Sequence, residues 1–133
     1  MPPSQPSGFV ERPDYRVDLL RRRNLVTVRA GDRVIARTTQ PLLVDEQDHG
    51  LVFYIPDADV DFSQLTPTDD TSRCPYKGQA SYWRLADGSD AVAWAYRDPY
   101  PELQQIAGYV AFYQDRLSVE VGVATPAVVG YQR

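Results

Sequence analysis

One cysteine, one lysine and one histidine occur in this chain of 133 residues, and two of the three, Cys74 and Lys77, stand close together in sequence. They sit in Arg73-Cys-Pro-Tyr-Lys-Gly-Gln-Ala-Ser-Tyr-Trp, which sets a thiol, a phenol and an amine on a tight turn ahead of an aromatic strand. A neighbouring ammonium favours the thiolate, so Cys74 is a candidate nucleophile with Lys77 as its activator. The competing reading is a small buried hydrophobe, since cysteine is among the most buried residue types. Lys77 is conspicuous because the other 13 of the 14 basic residues are arginine. An ammonium is a compact point charge where a guanidinium is a planar fork, so Lys77 is a candidate for holding an anion or a developing oxyanion. Equally, it could pair with Glu46 or Asp59, because buried lysines are rarely left alone. Glu46 closes the apolar run Leu42-Leu-Val-Asp-Glu, where loss of water is expected to raise its pKa and fit it for carrying a proton. Its plainer role would be to cap backbone amides at the strand end. A Cys-His pair would need His49 to fold back onto Cys74, which no sequence feature requires.

Around these groups the chain is rich in rings with polar tips, with nine tyrosines against four phenylalanines. Most aromatic side chains of a small β domain belong to its core. A buried hydroxyl needs a partner, however, so an excess of tyrosine favours a pocket whose apolar wall carries polar points. The candidate ligand-binding residues are Tyr54, Tyr76, Tyr82, Trp83, Trp94, Tyr96, Tyr109 and Tyr113, with Asp59 and Gly78 from the loop and turn nearby; Glu46, Lys77 and Cys74 are the catalytic candidates. Strand alternation turns Tyr82 away from Trp83 and Phe112 away from Tyr113, so only one of each pair can line a given cavity. Aromatic walls favour a planar or cationic ligand through stacking or cation–π attraction.

The elements that must position these residues are short strands. Leu25-Val-Thr-Val-Arg and Val34-Ile-Ala-Arg-Thr flank a Gly-Asp turn and predict a hairpin, because glycine supplies the φ > 0 position such turns require. Ala80-Ser-Tyr-Trp-Arg-Leu-Ala and Ala91-Val-Ala-Trp-Ala-Tyr, joined at Asp87-Gly-Ser-Asp, predict a second. Tyr15-Arg-Val-Asp-Leu-Leu, Leu42-Leu-Val-Asp-Glu, Leu51-Val-Phe-Tyr-Ile, Gly108-Tyr-Val-Ala-Phe-Tyr and Leu117-Ser-Val-Glu-Val bring the expected total to about eight or nine strands. Pro101-Glu-Leu-Gln-Gln-Ile has the proline-then-acid start of a short helix. Residues 57–73, Asp-rich around Val60, Phe62 and Leu65, read as a long loop with one helical turn, and loops of that length tend to be functional. Residues 1–12 read as a disordered leader, 13–124 as a single β domain and 125–133 as a C-terminal tail. The expected fold is mainly β, either two packed antiparallel sheets or a small open barrel, with one short helix.

Composition excludes several classes. An apolar fraction of 43% is enough for one core without disulfides or a structural metal. The longest apolar runs fall far short of the roughly 20 residues a membrane span needs. The first residues have neither the basic start nor the apolar stretch of a secretory signal. A lone cysteine cannot form an internal disulfide, so the cytoplasm is the expected location. A formal net charge of −4 argues against nucleic acid as a partner, because binding a polyphosphate needs a basic stripe. Arg21-Arg22-Arg23 is the only basic run and reads as a solvated strand end. No metal and no cofactor is expected; the expected partner is a small molecule of unknown class, with a homodimer left open.

Cys74-Pro-Tyr-Lys-Gly-Gln-Ala-Ser-Tyr-Trp, together with Tyr54-Ile-Pro-Asp-Ala-Asp-Val, Ile106-Ala-Gly-Tyr-Val-Ala-Phe-Tyr, Leu43-Val-Asp-Glu and Ala93-Trp-Ala-Tyr, resembles the domain-of-unknown-function 427 family over about residues 13–121. That resemblance implies the tent-like arrangement of two antiparallel sheets shared with methionine-R-sulfoxide reductase and the thalidomide-binding domain of cereblon. Several relatives in that fold hold zinc with two Cys-x-x-Cys pairs, and a chain with one cysteine lacks that set. The family also carries a nucleotidyltransferase-like label. No paired carboxylates framed by a Gly-Ser strand turn are present to hold two metal ions, and Gly88-Ser89-Asp90 is explained as a hairpin turn. The leading expectation is a small-molecule-binding domain in which, if chemistry occurs, Glu46 carries a proton, Lys77 stabilises an anion and Cys74 is a secondary nucleophile candidate. The alternative is a protein-interaction module that clasps a peptide or partner at a sheet edge without catalysis. A concave pocket holding Lys77 and Glu46 would favour the first, and a flat exposed aromatic patch the second.

Overall fold

The computed structural model describes residues 5–124, so the expected C-terminal tail and the first part of the expected leader lie outside the described residues. Ten strands are present among them: β1 Val17–Arg21, β2 Asn24–Ala30, β3 Arg33–Thr38, β4 Leu42–Glu46, β5 Gly50–Pro56, β6 Leu65–Cys74, β7 Gly78–Leu85, β8 Ala91–Ala95, β9 Tyr109–Phe112 and β10 Ser118–Ala124. They form two antiparallel sheets, one of seven strands in the order β1-β4-β5-β9-β8-β7-β6 and one of three in the order β10-β2-β3. The fold is therefore mainly β with two antiparallel sheets, and Pro101–Gly108 supplies the short helix, of the 3-10 kind with a kink at Leu103.

Both sequence-predicted hairpins form. In the first, Ala30 pairs with Arg33 across Gly31 and Asp32, and Gly31 takes a φ of 60°. In the second, β7 and β8 pair from Ser81↔Ala95 to Arg84↔Ala91, with an irregularity between Trp83 and Arg84.

Two expectations are corrected. The long loop expected over 57–73 contains short 3-10 turns at Asp57–Asp59 and Phe62–Gln64 and then nearly the whole of β6. That strand is a sheet edge with β7 as its only strand partner among the described residues, its middle is exposed, and its register shifts between Pro67 and Thr71. An edge strand that faces water on most sides carries no apolar alternation, so its polar sequence hides it. The disordered leader expected through residue 12 is likewise not what residues 7–12 form. Ser7 is buried and its hydroxyl accepts from the Phe9 amide to cap a 3-10 turn, Gly8–Val10. The Gly8 amide donates to the Pro75 carbonyl at 2.7 Å, which ties this segment to the turn between β6 and β7.

The seven-stranded sheet has two working faces. On one, Ile55, Val110, Phe112 and Ala93 pack with Val26, Val28 and Ile35 of the three-stranded sheet, and Trp83 and Leu85 border this core. On the other, Leu42, Val44, Tyr54, Ala80, Tyr96 and Ala111 gather with Leu103 and Ile106 from the 3-10 segment, and with Phe9 from the N-terminal turn. The period-2 alternation of each strand sends its residues to these two faces in turn.

Candidate functional site

The second face carries a row of residues opposite one another across five strands: Leu42, Tyr54, Ala111, Trp94 and Tyr82, on β4, β5, β9, β8 and β7. Ala111 is the small member of that row, with Tyr54 on one side and Trp94 on the other. Two residues further along the chain from Trp94 and Ala111, and therefore on the same face, stand Tyr96 and Tyr113. The result is a cavity of about 580 Å³ walled by Tyr54, Tyr82, Trp94, Tyr96 and Tyr113. Val44, Val52 and Pro75 add to the apolar part of its wall, and Glu46, His49, Arg73, Cys74 and Lys77 supply the polar part. The rings brace one another: Trp94 meets Tyr54 edge-on at 6.4 Å between centroids and Tyr113 at 4.6 Å. The Tyr82 hydroxyl is fixed 2.6 Å from that of Ser72 on the neighbouring strand β6.

Glu46 reaches this cavity because β4 alternates. Leu42, Val44 and Glu46 all point inward, so a carboxylate ends an otherwise apolar face and is only 4% exposed. Lys77 arrives from the turn between β6 and β7, where Cys74 pairs with Gly78 across three residues and Gly78 has a φ of 107°. The Lys77 ammonium donates to Glu46 Oε1, and the Tyr15 hydroxyl donates to Glu46 Oε2 at 2.6 Å. His49, just ahead of β5, places Nε2 3.5 Å from Glu46 Oε2 while its ring stays largely in solvent. Lys77 also lies 5.7 Å from the centre of the Tyr96 ring, within cation–π range.

These contacts decide the charge state of Glu46. Burial is the largest single influence and acts to raise its pKa, but the hydrogen bonds from Lys77 and Tyr15 and the nearby charges together outweigh it and hold the carboxyl below its ordinary value. The raised pKa expected for Glu46, and with it the premise for a proton carrier, is therefore corrected: it is a carboxylate locked by its neighbours. The tyrosines move the other way. Loss of water pushes the hydroxyls of Tyr54, Tyr96 and Tyr15 well up, so all three are neutral donors at physiological pH, and Tyr113 is raised by the same cause.

Of the two carboxylates considered for Lys77, the structure pairs it with Glu46. Asp59 lies at the end of the turn Asp57–Asp59, exposed beside Ala58 and Arg37 and away from the cavity. Cys74 does line the cavity, but the Lys77 group that reaches its sulfur is the backbone amide, at 3.4 Å, because the ammonium is taken by Glu46. Several other candidates also lie elsewhere. Tyr76 stacks on Tyr15 at 3.8 Å with the rings 6° from parallel and so backs the Glu46 network from behind. Trp83 faces the other core beside Phe62, with Arg97 over its ring. Gly78 serves the turn conformation and faces a separate groove with Arg73 and Tyr100, and Tyr109 opens onto a groove with the arginine run.

The placement of three groups of the site escapes a reading of the sequence. Tyr15 is far from Glu46 in sequence and is delivered by the β1–β4 register, in which Val17 opposes Glu46. His49 is delivered by the short β4–β5 connection, and Arg73 by the end of β6, where its guanidinium donates to the Tyr100 hydroxyl at 2.7 Å. Among the described residues no group of histidine, cysteine and carboxylate side chains is disposed to hold a metal ion, and no helix is long and apolar enough to cross a membrane.

The sequence model of the family described as domain of unknown function (DUF427) matches residues 18–123. The chain belongs to that family. The match spans every strand from β2 to β9, nearly all of β1 and β10, and every residue lining the cavity, while Tyr15 lies just ahead of it. No curated protein matches the chain.

Proposed function

We propose that this member of the domain-of-unknown-function 427 family is a cytoplasmic small-molecule-binding domain whose ligand is planar, and neutral or negatively charged. The observation that carries this reading is the Glu46–Lys77 pair set into the wall of an aromatic cavity. The cavity volume of about 580 Å³ falls within the range of roughly 300–1,000 Å³ typical of ligand sites. The rings offer faces for stacking, while the Lys77 ammonium, anchored by Glu46, stands in the same wall with donors of its own.

Charge narrows the ligand class. Glu46 is already neutralised by Lys77, and the ring of Tyr96 already has that ammonium in cation–π range, so a cationic ligand would meet an occupied acceptor. Arg73 adds a second positive group to the wall. A planar compound with a carbonyl or carboxylate edge suits this environment better than an amine. The partner-clasping alternative draws less support: among the described residues, the exposed large hydrophobic ones, Val10, Leu20, Val34, Leu51, Val121 and Val123, include no aromatic ring and are dispersed along the chain. Binding of this kind requires no reaction, and the carboxylate best placed for proton transfer is the one most firmly held.

A thermal-shift screen against planar acids, planar amides and planar amines tests the reading. A ligand present at about 100 times its dissociation constant stabilises the native state by about 2.7 kcal/mol. Acids and amides are expected to give the stabilising shifts, and Tyr113→Ala to reduce them, since Tyr113 forms part of the wall and is only partly buried. A screen in which only amines stabilise would reverse the charge assignment, and one in which nothing stabilises would move the reading to a protein partner.

A further inference from the structure

We propose a second binding site, for a small soluble anion of the phosphate class, at the corner where the run Arg21, Arg22 and Arg23 meets Gln40, Pro41 and Tyr109. These six residues line a concavity of about 310 Å³ at the opposite end of β4 from Glu46. Its frame is fixed: Arg21 closes β1 opposite Leu42, and the Arg22 amide donates to the Pro41 carbonyl at 3.0 Å.

Three adjacent unanswered charges are what mark this corner. Elsewhere Arg16, Arg29, Arg33 and Arg97 each reach a carboxylate. Arg21, Arg22 and Arg23 have, among the described residues, no side-chain hydrogen bond, ion pair or ring contact, although the chain carries 18 acidic residues and a net charge of −4. Three guanidinium groups around one hollow repel one another, and a polyvalent anion relieves that repulsion where a monovalent one does so only in part. Each guanidinium presents paired N–H donors matched to two oxygens of a tetrahedral oxyanion. The side-chain carboxamide of Gln40 adds a neutral donor. A solvated strand end explains the exposure of these arginines but not why three of them share a hollow that no acidic side chain lines. The concave shape selects a compact solute over an extended polymer or a membrane surface.

The test is isothermal titration of the full chain with inorganic pyrophosphate at low ionic strength, against sodium chloride at matched ionic strength, for wild type and for the triple variant Arg21→Gln, Arg22→Gln, Arg23→Gln. Wild type is expected to bind pyrophosphate with an affinity that falls steeply as salt is added, and the triple variant to lose at least tenfold. The three side chains are exposed, so the variant should melt close to wild type; if it does not, the single variants Arg22→Gln and Arg23→Gln carry the test, each expected to lose severalfold. Equal binding by variant and wild type, or no binding by wild type, overturns the proposal. So does association with vesicles of anionic lipid in the absence of pyrophosphate binding. None of these outcomes bears on the aromatic cavity, which shares no residue with this corner.

Discussion

Replacing Lys77 by methionine is expected to destabilise the fold by about 3–5 kcal/mol at neutral pH, the penalty for leaving a buried charge without its partner. Glu46 is 4% exposed and would keep only Tyr15 and the partly solvated His49. The pH dependence should then change sign. In the wild type the Glu46 pKa is depressed below its usual 4.5, so its contribution to stability is present above that value and is lost as pH falls through the depressed one. In Lys77→Met, burial acts without the opposing ammonium and the pKa is raised. The folded state then binds a proton more tightly than the unfolded one, and the variant gains stability as pH falls through the raised value. Urea melts across the acid range check this: the gap between variant and wild type should close toward low pH. The double variant Glu46→Gln with Lys77→Met should recover most of the loss. A Lys77→Met penalty under about 1 kcal/mol, the worth of an exposed pair, would mean that water reaches the pair freely.

Tyr54→Ala is expected to cost about 4 kcal/mol, within the range for removing a large aromatic from a core. Tyr54 is 2% exposed and joins Leu42 on β4 to Ala111 on β9 in the central row while bracing Trp94. Tyr113→Ala should cost far less, because that ring is only partly buried, even with the exposed cation–π contact to Arg116 lost. Thermal denaturation of the two variants separates the part of the aromatic wall that is structural from the part that faces the cavity. Equal losses would contradict that division between the two tyrosines.

Much of this arrangement is legible in the amino-acid sequence. Gly31 announces its hairpin because few other residues tolerate that turn, and alternation alone separates Tyr82 from Trp83 and Phe112 from Tyr113. Lys77, as the single lysine, points to a place where an ammonium differs from a guanidinium, and its pairing with Glu46 is one of two options the sequence offers. The illegible part depends on register. Tyr15 joins the site because β1 pairs with β4 so that Val17 opposes Glu46, and nothing near Tyr15 signals that contact. Strand β6 is hidden by its polar edge composition. The direction of the Glu46 pKa escapes for a related reason: burial is legible from the apolar run around it, whereas the two donors that help outweigh burial come from distant segments. Residue type alone groups Tyr76 and Tyr109 with the cavity, yet one packs behind the Glu46 network and the other lies at the far corner.

The two tryptophans of the chain provide the most direct test of the cavity. Trp94 lines it, and Trp83 lies on the opposite face of the same sheet. Their indole N–H resonances in a nitrogen-15 correlation spectrum can be assigned with Trp83→Phe and followed while planar acids and amides are added. Binding in the cavity predicts a saturable shift of the Trp94 signal with Trp83 unmoved. A compound that stabilises the protein while shifting Trp83 alone, or neither indole, would contradict the assignment of the cavity as the ligand site.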